Sequence, residues 1–248
     1  MLKKITIILG VGLAGCVEAP APAPSPSPTK ETVKPAGPQY FRSEASGLAA
    51  FKRISAQIDP VATKICKDFS AGKPATFCDF QFRVLKNAKQ PPNAFQSVDR
   101  SGRPTITFNS NMLRAVKNDH EIGFILAHET GHQIAGHLTK TRSNATAGAI
   151  LGAVLAGVVG VDPQVGVDLG ARVGVLQYSK KFELEADTLA THIAYRAGYN
   201  PLIGAQSFER FGGEKSQPLN THPGSIDRLA TVRITYNRIL KGDRTISW

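Results

Sequence analysis

The chain has 248 residues with an apolar share of 42%, ordinary for a globular protein and long enough for one well-buried domain with appendages. That excludes a chain without a core. The formal net charge of +11 admits nucleic acid or an anionic membrane surface as partner, and composition alone does not choose between them.

The N-terminus makes the choice. Lys3 and Lys4 form a short basic start, and Ile5 to Gly15 is apolar but, at eleven residues, too short to span a bilayer comfortably. Residues 1–15 therefore read as a signal peptide. Leu13-Ala14-Gly15-Cys16 resembles the bacterial lipobox, where the cut falls before the cysteine and the cysteine is lipidated. Without Lys3 and Lys4 the formal charge is still +9. Val17 rather than aspartate follows Cys16, which points to the outer membrane, with the protein facing the periplasm. Residues 16–40 are then the lipidated cysteine and a Pro/Ala-rich tether, too poor in large apolar residues to build a core. Residues 41–248 are left as the folded domain. An exported chain with no clustered basic motif is not expected to bind nucleic acid.

Ser43 to Phe69 predicts two helices, with Leu48, Phe51, Ile54 and Ile58 at helical spacing and Asp59-Pro60 interrupting them. Cys66 and Cys78 follow. With Cys16 lipidated, an even pair remains in an oxidising compartment, so a disulfide is expected around Gly72-Lys73-Pro74. Asp79 to Lys86 alternates Phe80, Phe82 and Val84 and predicts a strand. Asn93 to Val98 and Pro104 to Phe108 predict two more, joined around Asp99-Arg100-Ser101-Gly102. Asn109 to Val116 predicts a helix.

Asp119 to His137 predicts the helix on which the chemistry rests. Within it Ile125-Leu126-Ala127-His128-Glu129-Thr130-Gly131-His132 reads H-E-x-x-H inside an apolar run. His128 and His132 lie one turn apart on one face, where two neutral imidazoles can hold one Zn²⁺. Glu129 sits beside them, placed to accept a proton from water. His120 and His137, outside that pair, are expected at exposed positions. A catalytic zinc site needs a third protein ligand. A histidine six residues after His132 would serve, but Leu138 stands there and His137 is off by one.

Ala145 to Val161 is seventeen residues without a charge, at the lower limit for a membrane span. One crossing would separate His132 from any ligand beyond it. Val165 to Leu176 is too short for a second crossing and carries Asp168 and Arg172. The region is expected as helices that cover the active-site cleft as a lid or plug and touch the membrane. Lys180 to Gly198 predicts a helix on which Glu183 and Asp187 share a face. Glu183 suits the third zinc position, and Asp187 suits an acceptor that orients a ligand histidine. Glu185 points nearly the opposite way and is expected to be solvated. Pro201 to Phe211 predicts a helix and Pro218 to His222 a loop. Pro223 to Leu240 predicts a final helix, with Ile226, Leu229, Ile234, Ile239 and Leu240 mostly inward.

The run from Asp119 to His132, followed by Glu183-Leu-Glu-Ala-Asp187, resembles the HtpX/Oma-type zinc metallopeptidases, the gluzincin group that includes the CAAX prenyl proteases. The likeness covers roughly Phe80 to Leu240. It extends to Asn93-Ala94-Phe95 and the strand after it, and to Thr221-His222-Pro223 with Arg228 five residues after the proline. The resemblance implies an α+β, mostly helical gluzincin domain over residues 41–248, with a small β-sheet over the active-site helix. It implies one Zn²⁺ per chain, a substrate-binding strand edge at Asn93, Ala94 and Phe95, and protein or peptide substrates. His222 would lie near the zinc, as an oxyanion-stabilising group or as a removable fourth ligand that silences the resting enzyme; its other reading is a helix start beside Pro223. Arg228 would support the ligands or face the oxyanion; as a bare sequence feature it would be a surface arginine. The expected function is a zinc endopeptidase of the bacterial cell envelope, lipid-anchored, acting on misfolded or misassembled envelope proteins. The rival is an assembly factor or chaperone-like binder with little proteolytic activity, which Glu129→Gln separates from an enzyme.

Overall fold

The computed structural model describes residues 39–211 and 226–248, and of residues 148 and 169–179 only the backbone. The signal peptide with Cys16, nearly all of the tether, and His222 with its loop lie outside the described residues.

Helix α1 is Glu44–Phe69, capped where the Ser43 hydroxyl accepts from the Ser46 amide at 3.1 Å. It is one helix, not the two expected. Phe51, Ile54, Ile58, Ala62 and Ile65 form an unbroken buried stripe across Pro60. Pro60 itself faces solvent, where water can satisfy the carbonyl that loses its partner, so burial of the stripe outweighs the break. A disulfide joins Cys66 to Cys78.

Strands β1 (Gln81–Leu85), β2 (Ala94–Val98) and β3 (Pro104–Asn109) form a sheet in the order β1-β3-β2. β3 is buried along its whole length, parallel to β1 and antiparallel to β2, with Phe95 opposite Thr107. The β2–β3 turn is tied by Asp99, whose carboxylate accepts from the Ser101 amide at 2.9 Å and the Arg103 amide at 3.0 Å. Helix α2 (Ser110–Ala115) follows, capped by Asn109.

Helix α3, Asp119–Ile134, is capped by Asn118, and every residue from Glu121 to Ile134 is buried. It packs on α1, on β2 and on later helices, so it is the axis of the domain. It stops before the expected His137. Gly136 adopts a left-handed φ of 68°, which ends the helix and starts a new one at His137.

That helix, α4 (His137–Val159), forms a hairpin with α5 (Pro163–Arg196). The hairpin turns at Gly160, and Asp162 caps α5 through the Gln164 amide at 2.8 Å. Val165–Leu176 and Lys180–Arg196 are thus one helix. The seam is made of small residues: a Cβ on Gly166 would sit 2.2 Å from the Gly152 carbonyl oxygen and 2.6 Å from the Ala156 Cβ. Ile150, Leu151, Val154, Leu155, Val158 and Val159 point away from α5 and are exposed, Val158 at 79%. A cover over the cleft is not what the described residues show, since α4 packs chiefly on its own hairpin partner. Beyond Gly198, helices α6 (Pro201–Ala205) and α7 (Phe208–Phe211) replace the single helix expected.

Helix α8, Ile226–Leu240, turns Arg228, Val232, Thr235 and Ile239 inward. Of the five residues expected inward, Ile239 is buried and Leu229 half-buried, while Ile226, Ile234 and Leu240 face solvent. The periodicity is that of a helix, but its phase is set by Arg228, because that arginine has acidic partners in the core.

Candidate metal centre

Two helices meet closely at the site because α3 presents a glycine at the crossing. Gly131 lies between Thr130 and His132, and a Cβ there would be 2.9 Å from the Ala186 carbonyl oxygen of α5. This approach brings His128 and His132 on α3 against Glu183 on α5, all three buried. His128 Nε2 and His132 Nε2 are 3.0 Å apart. Glu183 Oε2 is 3.4 Å from His128 Nε2, and Glu183 Oε1 is 3.4 Å from His132 Nε2. The donor set fits a metal ion. A tetrahedral zinc with bonds of about 2.0–2.1 Å spaces its ligand atoms about 3.4 Å apart, close to the three separations found.

Asp187, one turn after Glu183, accepts from His128 Nδ1 at 2.9 Å and so leaves Nε2 to face the cluster. Behind Asp187 stands Arg228. Its Nε and Nη2 each donate to the Asp187 carboxylate at 2.8 Å, and its Nη1 lies 3.1 Å from Glu183 Oε2. The guanidinium also stacks over the Phe208 ring at 3.6 Å. An arginine that the bare sequence would put at the surface is thus buried as the cation of two carboxylates. Burial and the Arg228 cation push the His128 imidazole down, and its hydrogen bonds to Asp187 and Glu183 outweigh both, raising it to about 9. Glu129 is buried beside His128, and its charge acts on Arg228.

A profile of peptidase family M48 matches residues 50–235. The chain belongs to peptidase family M48. Mitochondrial metalloendopeptidase OMA1 of Saccharomyces cerevisiae is 30% identical over 163 residues, 62% of this chain and 46% of that protein. Metalloprotease LoiP of Escherichia coli is 30% identical over 130 residues, 49% of this chain and 51% of LoiP. The beta-barrel assembly-enhancing protease of Escherichia coli is 24% identical over 150 residues, 54% of this chain and 31% of that protein. The chain spans about half or less of the length of these curated relatives.

In this M48 domain the residues missed from sequence are His137 and Glu185. His137 is buried rather than exposed. Its Nδ1 lies 2.8 Å from His132 Nδ1, its Nε2 lies 2.9 Å from Glu185 Oε2, and its ring stacks on Phe182 at 4.3 Å. Burial, with His132 second, holds its imidazole down at about 4. Glu185 is correspondingly buried, not solvated. The available signal was Gly136. A helix stop there swings His137 off the α3 spiral and back toward His132, whereas a continued helix would have carried it outward. His120 is half-buried and accepts from the Asn200 amide at 3.1 Å. Ala94 and Phe95 open β2 and Asn93 immediately precedes it; β2 is an edge strand that packs on α3, and Gln96 donates from it to Gln133 of α3 at 2.8 Å.

Proposed function

We propose that the chain is a zinc-dependent endopeptidase. The observation that carries this is the buried His128–His132–Glu183 cluster with Glu129 beside it, on a chain of family M48. A zinc ion held by the two Nε2 atoms and the Glu183 carboxylate would supply Lewis acidity toward a scissile carbonyl and toward water. Glu129 takes the proton from the attacking water and returns one to the leaving amine. Asp187 keeps His128 in the tautomer that points Nε2 at the cluster, and Arg228 holds Asp187 and Glu183 in place. An extended substrate adds to the β2 edge at Asn93 to Phe95 by main-chain hydrogen bonds. His222 serves as an oxyanion donor or as a silencing ligand.

The setting we propose is the bacterial outer membrane, with Cys16 lipidated, residues 16–40 as tether and the domain facing the periplasm. The signal-like residues 1–15 and the lipobox-like Leu13 to Cys16 support it. The outward face of α4 supports membrane contact: large aliphatics are outside and glycine and alanine form the seam, the reverse of a helix made for water. Misfolded or misassembled envelope proteins are the substrate class, for which the name of the beta-barrel assembly-enhancing relative is the support.

Zinc content and peptide cleavage, read on the same samples, test the enzyme reading. The expected result is one zinc per chain in the wild type, loss of zinc in Glu183→Ala, and zinc without cleavage in Glu129→Gln, with a rate loss of about 10²–10⁴-fold. A wild type without zinc would overturn it. Flotation with anionic phospholipid vesicles tests membrane contact. The chain without its first 37 residues should float, and Leu151→Ser/Leu155→Ser should not; equal behaviour of the two would sink that part.

A further inference from the structure

Neither His137 nor Glu185 has a part in the reaction above, yet both are buried and linked to a ligand imidazole. The chemistry of the chain they form has one consistent direction. A neutral imidazole carries one N–H donor and one acceptor nitrogen, and a carboxylate only accepts. Glu185 Oε2, 2.9 Å from His137 Nε2, therefore requires the His137 proton on Nε2. His137 Nδ1 is then an acceptor. It lies 2.8 Å from His132 Nδ1, which must supply the proton for that contact. With its proton on Nδ1, His132 presents the lone pair of Nε2 to His128 and Glu183.

We propose that Glu185 and His137 are a positioning relay that sets the tautomer of His132 and so makes it a competent metal ligand. This rests on the reading of His132 as a ligand. The two histidines of the cluster are thus oriented differently. His128 has its carboxylate, Asp187, in direct contact at 2.9 Å. His132 receives the same instruction from Glu185 through a second imidazole. If Glu185 is removed, His137 is free to put its proton on Nδ1, which drives the His132 proton onto Nε2, where it occupies the lone pair a metal needs. The stacking of His137 on Phe182, itself on α5 with Glu185, holds the intermediate ring in the required plane.

The test is zinc affinity by competition with a chromogenic chelator, for wild type, His137→Phe, Glu185→Leu, Glu185→Gln and the double variant His137→Phe/Glu185→Leu. Loss of such an outer partner costs about 10–100-fold in metal affinity. His137→Phe and Glu185→Leu should each weaken zinc binding by that factor, and the double variant by no more than the larger single loss, since either break cuts the same chain. Glu185→Gln, whose carbonyl oxygen still accepts from His137, should bind more tightly than Glu185→Leu. Single variants that bind zinc as tightly as the wild type, or losses that multiply in the double variant, would overturn the relay. The ¹⁵N spectrum of the zinc-free wild type gives a readout that needs no variant to fold: His132 should carry its proton on Nδ1, and a proton on Nε2 refutes the proposal. A wild type that binds no zinc would instead bring down the metal reading of the cluster, so the two failures are distinguishable.

Discussion

Helix α5 passes through two environments that invert the usual placement of side chains in opposite senses. Near its start, Gly166 packs against Gly152 and Ala156 while the aliphatic residues of α4 face outward. Twenty residues on, Glu183, Glu185 and Asp187 are buried and the lysines at 180 and 181 face solvent. The acidic inversion is resolved inside the chain, because each buried carboxylate meets an imidazole or the Arg228 guanidinium. The apolar inversion has no such partner among the described residues, and exposed aliphatic area contributes nothing to folding until something covers it. One end of the helix is self-sufficient, and the other leaves the aliphatic face of its hairpin partner exposed.

The largest effect should come from the self-sufficient end. Arg228→Met leaves Asp187 and Glu183 buried without their cation, and urea unfolding in the presence of a chelator should show a loss of about 3–5 kcal/mol. An unchanged midpoint would mean that the carboxylates do not depend on the arginine.

A somewhat smaller effect comes from pH. His192, buried on α5, is held down at about 4 by burial and then by the Arg196 and Arg238 cations. The unfolded chain takes up this proton near pH 6.5, and the folded one only near 4. Below pH 6.5 the unfolded state therefore binds more protons, and stability falls as the pH drops toward 4, by about 3 kcal/mol at the limit. Denaturation between pH 7 and 4.5 should be less steep in His192→Phe than in the wild type; parallel curves would remove His192 from the account.

The two glycine contacts compare the ends directly. Gly131→Ala pushes α3 from α5 beside His128, His132 and Glu183 and should cost about 1–3 kcal/mol of global stability. Gly166→Ala meets an even closer carbonyl, but it should open the hairpin locally, raising hydrogen exchange in α4 while leaving the global midpoint nearly in place. Equal global losses would show that hairpin and core unfold as one unit. The smallest effect is expected for Leu151→Ser and Leu155→Ser in the absence of lipid, within about 0.5 kcal/mol each, because exposed side chains give up little on replacement.

Much of the site was legible in the chain. His128, Glu129 and His132 announce themselves by spacing, and Glu183 with Asp187 by a shared helix face. Where the structure departs from the sequence pattern, the departures share a physical cause. Pro60 reads as a break in the sequence because local propensity cannot weigh the buried stripe on both sides of it. Ile226, Ile234 and Leu240 were expected inward because hydropathy ranks them above arginine, although a guanidinium with two buried carboxylates to meet belongs inside. His137 and Glu185, each considered alone, belong in solvent; together they are buried as partners 2.9 Å apart.

By itself the sequence determined the local quantities: the helical period, the one-turn spacing of His128 and His132 on α3, and the turn at Asp99, since each depends on residues within a few positions of one another. Only the tertiary structure decided which polar groups are inside. Arg228 is 100 residues from His128, and Glu185 is 48 from His137. Their burial is favourable only once α8, α5 and α3 are in contact, so the cost of burying one charge can be weighed only when the position of its partner is known.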